Sequence, residues 1–130
     1  MTALGDLIND AADLIEVRGL ALDAYRGEHG ELCPAGAVAE SLGLEPDVWT
    51  DPPEHIADSE GYQAGFAALW VLVASRGYRM DDDRAEPWDG EMLANHVAFW
   101  LQDERPTCVH VVEWMRGVAA QQEAHQRWAA

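Results

Sequence analysis

The stretch Ala-Gly-Phe-Ala-Ala-Leu-Trp-Val-Leu-Val-Ala, residues 64–74, decides the fold. It follows Asp58 and Ser59, either of which is typical of a helix N-cap, and it precedes Gly77, which is typical of a helix end. The segment is too short to span a bilayer. Because a helix that is apolar on every side lies in the middle of its domain, the sequence predicts a buried central helix with the rest of the chain packed around it.

Amphipathic helices are predicted on both sides of this segment, since apolar residues recur there at helical spacing. Their predicted spans are Leu4 to Gly19, Pro34 to Gly43, Asp89 to the residue before Pro106, and Thr107 to Ala120. Residues 20–25 are expected to be a short helical or irregular piece, and residues 44–58, which contain three prolines, to be irregular. The sequence therefore predicts an all-α fold, a compact bundle of five to six helices. Residues 1–130 form a single acidic domain in this interpretation, with residues 121–130 as a frayed or partner-binding tail.

The charge of the chain excludes several classes of function. Asp and Glu number 24 against eight basic residues, all of them arginine, so the formal net charge is -16. Direct binding of nucleic acid or of an anionic membrane requires a basic surface, which this composition does not supply. Disorder is excluded because 48% of the residues are apolar and six are tryptophan.

The acidity itself has two interpretations. The acidity could follow from the host, through a GC-rich coding sequence or a saline cytoplasm. Alternatively, the acidic residues form a surface that binds a partner. The first ten residues are acidic and amphipathic, unlike a secretory signal, so a cytoplasmic location is expected.

Three stretches of the chain resemble sequence blocks of a known family. They are Ala-Ala-Asp-Leu-Ile-Glu-Val-Arg-Gly (11–19), Gly-Glu-Leu-Cys (30–33) followed by Gly-Ala-Val-Ala (36–39), and Trp-Leu-Gln-Asp (100–103) followed by Thr107 and Val-Val (111–112). Together they are similar to the motifs of a small family of uncharacterised bacterial and phage α-helical domains. Leu20 stands where that family has tryptophan, and residues 44–90 are unmatched. The resemblance implies a helical fold and no particular activity.

Residue types that carry catalysis or bind metals are sparse. The sequence assigns no catalytic residue and no cofactor, because neither a nucleophile motif nor a metal-ligand spacing is present. The weak metal candidates are Cys33, His96 and Cys108. Cys33 precedes a helix start, where the helix dipole lowers a thiol pKa, although a small buried hydrophobe is the alternative there.

The remaining candidates are acidic and aromatic residues suited to a protein interface. The exposed side of the first helix and two acidic loops that contain tryptophan supply most of them. The candidate interaction residues are Asp6, Asp10, Asp13, Glu16, Trp49, Asp81, Asp82, Asp83, Trp88 and Trp128. Anchoring of the two loops in the core is the alternative role for Trp49 and Trp88.

These features favour a small acidic interaction module. It would regulate or inhibit a protein partner with a basic surface, one that handles nucleic acid, because spaced carboxylates resemble phosphates. The first alternative is a small helical enzyme or metal- or ligand-binding domain that uses Cys33, His96 and Cys108. The second is a structural protein that self-associates, as a homodimer, through its last helix.

Overall fold

The fold is a bundle of α-helices. The computed structural model describes residues 3–77 and 88–129, with side chains up to residue 124. In that part of the chain the helices are α1 (Leu4–Arg18), α2 (Pro34–Ser41), α3 (Glu54–Ala57), α4 (Glu60–Ser75), α5 (Gly90–Glu104) and α6 (Cys108–Ala129). The same residues form no sheet, and their only strand-like pairings are the isolated bridges from Leu32 to Leu20 and Arg26. The predicted all-α class is confirmed.

The helix starts lie where the sequence places them. The side-chain oxygens of Ser59, Asp89 and Thr107 accept hydrogen bonds of 3.2, 2.9 and 3.2 Å from backbone N–H groups three residues further along. Such caps satisfy N–H groups that a helix leaves unpaired at its first turn. Gly19, which follows α1, has a φ of 97°, a conformation that glycine adopts without strain.

Helix α4 is the centre of the bundle, as its apolar sequence predicts. It packs against each of the other five helices. Leu69, Leu72 and Val73 on this helix are almost completely buried, whereas Gln63 and Ala67 face solvent. The helix is therefore central, with one exposed edge in its first turns.

Helices α1 and α6 form an antiparallel pair beside α4. Gly5, at the start of α1, lies against Ala119 late in α6. The Sγ of Cys108, at the start of α6, lies 3.7 Å from the carbonyl oxygen of Ile15, near the end of α1. Helix α6 continues to Ala129, beyond the apolar pattern that ends near Ala120. The backbone of the predicted tail is thus helical through residue 129.

The segment between α1 and α2 is held by specific contacts, and the segment between α2 and α4 contains a short helix. In the segment between α1 and α2, the N–H of Cys33 donates a 3.2 Å hydrogen bond to the carbonyl oxygen of Tyr25. A Cβ on Gly36 would collide with that same oxygen and lie 3.0 Å from its carbonyl carbon. The predicted irregular stretch 44–58 contains the single-turn helix α3, which is a correction.

Candidate interaction surface

The predicted acidic ladder on α1 divides into two halves. Asp6 and Asp10 are exposed and make no ion pair with any residue that the structure describes. Asp13 and Glu16 instead bind Arg116 of α6, at 2.8 and 3.3 Å. Their hydrogen bonds raise the pKa of the Arg116 guanidinium. The first half of the ladder is exposed without an ion pair to the described residues, and the second half joins α1 to α6.

The other arginines with described side chains are also engaged within the chain. The remaining ion pairs are Arg18 and Arg26 with Glu40 at 2.8 and 2.6 Å, Arg76 with Glu104 at 2.9 Å, and Arg105 with Asp23 at 3.8 Å. Each of these guanidinium groups therefore has a carboxylate neighbour. Carboxylates greatly outnumber arginines in the chain, so the surplus charge on this surface is negative.

The two loop tryptophans differ in how far they are buried. Trp49 is completely buried, and its Nε1 donates a 2.8 Å hydrogen bond to the carbonyl oxygen of Ala35. Trp88 is half-buried and packs edge-on against Trp70, with ring centroids 6.2 Å apart. The role of interface anchor is wrong for Trp49, and the alternative role, anchoring of its loop in the core, is confirmed, because the ring fills the space between α2 and α4. Asp81, Asp82, Asp83 and the side chain of Trp128 lie outside the described part of the chain.

The weak metal candidates do not form a site. Among residues 3–77 and 88–124 there is no group of three or more His, Cys, Asp and Glu that could hold a metal ion. Burial raises the pKa of the Cys33 thiol to about 11, against a smaller opposing effect of the Gly36 N–H. The prediction that the helix dipole lowers the pKa of Cys33 is therefore wrong, because the desolvation of the buried thiol is the larger effect. His96 instead packs beside Trp88, with ring centroids 5.0 Å apart.

A cleft of about 500 Å³ lies between the first turns of α4, the segment before α3 and the start of α5. We call it the acidic cleft. Its aromatic walls are Trp49, Tyr62, Phe66 and Trp88, and its acidic residues are Asp51, Asp58, Asp89 and Glu91. All four acidic residues are exposed. The cleft therefore combines ring surfaces with carboxylates at a single opening.

Burial raises the pKa of two tyrosines in this region. For Tyr62 burial is the larger cause, and the charge of Asp89 raises the pKa further. For Tyr25 burial is again the larger cause; a hydrogen bond to Thr50 lowers the pKa, and interactions with Cys33, Glu91 and Asp47 raise it. A nearby negative charge disfavours the ionised phenol, so Asp89 acts on Tyr62 in the same direction as burial.

A second depression lies on the opposite side of the first turns of α4. It is a groove of about 1030 Å³ whose apolar lining includes Leu4, Leu42, Ala64 and Ala67. Asp58 and Gln63 line both the groove and the acidic cleft. The exposed edge of α4 is therefore a ridge between the two depressions.

Comparison with known proteins found no matching family model, no curated relative and no similar solved structure. The resemblance to uncharacterised phage and bacterial domains stays a prediction. In the part of the chain that the structure describes, no helix is long and apolar enough to cross a membrane.

The acidic cleft is not visible in the sequence as a unit. Its lining comes from three separate segments, 49–58, 62–66 and 88–91, and a sequence pattern does not show which segments meet. The signal that was present is the pairing of tryptophan with acidic residues in two loops. That signal pointed to loops that line the cleft, but it left open whether their tryptophans are interface anchors or core anchors.

Proposed function

We propose that this domain is an acidic interaction module that binds a basic surface on another protein and so regulates or inhibits it. The observation that carries the proposal is the engagement of the arginines. Each arginine whose side chain is described is paired within the chain, whereas Asp6, Asp10 and the four carboxylates of the acidic cleft are exposed. The described part of this surface is thus negative, and no described arginine is left without a carboxylate of its own to compensate it.

The physical advantage of such a surface lies in the encounter with its partner. A large charge of one sign attracts an oppositely charged protein over several ångströms and raises its association rate. Spaced carboxylates resemble the phosphates of nucleic acid, so a protein that handles nucleic acid is the partner class that we propose. On this basis the domain would cover the surface of the partner that otherwise binds the phosphates of nucleic acid.

A salt-dependent capture experiment tests the proposal. The full chain is immobilised, exposed to lysate of its native cells at about 20 mM salt, and eluted with salt rising to about 300 mM, a range over which the screening length falls severalfold. We expect the captured proteins to be basic, to leave by physiological salt, and to be displaced by duplex DNA. Capture of neutral or acidic proteins, or retention at the highest salt, would contradict the proposal.

A further inference from the structure

We propose that the acidic cleft receives an arginine side chain from the partner. This inference rests on the proposed function and adds to it the group that is recognised and the place where it binds. The occupant is a guanidinium presented by a basic segment of another protein. Three features of the cleft support this choice: its charge, its aromatic walls and the fixed position of those walls.

The charge of the cleft is not neutralised by its own described lining. Asp51, Asp58, Asp89 and Glu91 contribute four carboxylates, and the described lining residues include no arginine. Arginines elsewhere in the described chain have carboxylate neighbours of their own, such as Glu40 and Glu104. A cation that enters the cleft therefore meets negative charge that no described arginine already pairs.

The aromatic walls favour arginine over lysine. Phe66 and Trp88 are half-buried, so part of each side chain remains accessible beside the carboxylates. A planar guanidinium stacks on aromatic rings and donates paired hydrogen bonds to carboxylates. A lysine ammonium is more strongly hydrated and makes no such paired contact. The combination of rings and carboxylates thus matches guanidinium chemistry.

Two of the aromatic walls, Trp49 and Tyr62, are held in place before a ligand arrives. Trp49 is fixed by its hydrogen bond to Ala35, and its ring lies 5.1 Å from that of Tyr62. Gly90 allows the start of α5 to approach these rings, because a Cβ there would lie 2.7 Å from the Trp49 ring. Such preorganisation reduces the entropy lost when a side chain binds.

The test compares a short oligo-arginine peptide with an oligo-lysine peptide of equal length, by calorimetry with the full chain at low salt. The cleft variant is Asp51→Asn, Asp58→Asn and Glu91→Gln, which removes three carboxylates and keeps Asp89, the cap of α5. Asn suits position 51, where φ is 48°. The control variant is Glu28→Gln, Asp103→Asn and Glu113→Gln. It removes the same charge from exposed sites that neither line the cleft nor belong to the candidate interaction residues.

We expect the wild-type chain to bind oligo-arginine more tightly than oligo-lysine. The cleft variant should lose affinity for oligo-arginine by about tenfold and lose the preference, because cation–π and charge-assisted contacts depend on the same cleft. The control variant should keep the preference and lose much less affinity.

Two results overturn the inference in different ways. Equal binding of the two peptides by the wild-type chain, or equal losses in the two variants, would exclude the cleft as an arginine site while the acidic module still stands. Failure of the wild-type chain to bind either peptide at low salt would contradict the proposed function as well. The wild-type comparison needs no substitution, so it decides the matter even where a variant is unstable.

Discussion

Gly36 offers a direct test of how the segment between α1 and α2 packs. Alanine in place of a helical glycine ordinarily stabilises a helix by about 0.5–1 kcal/mol. Here the new methyl group would collide with the carbonyl of Tyr25. That carbonyl cannot move freely, since it also accepts the hydrogen bond from Cys33. We therefore expect Gly36→Ala to destabilise the domain.

The magnitude follows from two opposed effects. Overpacking costs about 1–3 kcal/mol in a close-packed region, and a collision with backbone atoms places the cost in the upper part of that range, about 2–3 kcal/mol. The gain in helix propensity offsets about 1 kcal/mol, which leaves a net loss of about 1–2 kcal/mol. For a chain of 130 residues, an unfolding entropy of about 2.1 cal/mol/K per residue makes each kcal/mol worth about 4 °C in Tm. Gly36→Ala should thus lower the Tm by about 4–8 °C.

Gly117 supplies the matched control, since it lies inside α6 and a Cβ there would meet open space. Gly117→Ala should raise the free energy of unfolding by about 0.5–1 kcal/mol and the Tm by about 2–4 °C. Thermal and urea unfolding followed by circular dichroism measure both variants. A Gly36→Ala protein that is as stable as the wild type, or that is stabilised like the Gly117→Ala protein, would refute the close approach of Tyr25 to α2.

Two further predictions concern buried side chains. Trp49→Phe should lower the free energy of unfolding by about 2–4 kcal/mol, because it loses the hydrogen bond to Ala35 and leaves a cavity. An unchanged midpoint of urea unfolding would show that the indole is not part of the core. Cys33 should react slowly with an alkylating reagent at pH 8 in the native protein and quickly in urea, and equal rates would contradict its burial. Because burial raises the pKa of Cys33 from 9.0 to about 11, the unfolded chain loses the proton first, and stability should fall as pH rises from about 9 towards 11. Cys33→Ala should remove the part of that fall that occurs below pH 10, where the buried tyrosines have not yet titrated.

Local signals were sufficient to predict most of the fold. The caps at Ser59, Asp89 and Thr107 act within three residues, so the sequence around them contains the whole interaction. The apolar pattern of residues 64–74 similarly predicts the central position of α4. Helix α3 was missed because it is a single turn beside Pro52 and Pro53, too short to show a period.

Contacts between distant parts of the chain could not be predicted in this way. Asp13 and Arg116 are 103 residues apart, and the charge pattern of α1 does not reveal that its last carboxylates bind α6. Trp49 lies in an acidic loop, a sequence context that fits an exposed interface residue as well as a core anchor. Its burial depends on helices that are distant in the sequence, so the local pattern does not reveal it. The acidic cleft depends on three segments that meet only in the folded chain.

The surplus of carboxylates over arginines governs how the domain responds to dissolved salt. A net charge of -16 repels itself, so added salt should strengthen the fold by screening that repulsion while it weakens attraction to a basic partner. Folding and binding would then have opposite salt dependences. A basic partner would act on this domain as a concentrated counter-ion, and its binding would stabilise the folded state that it recognises.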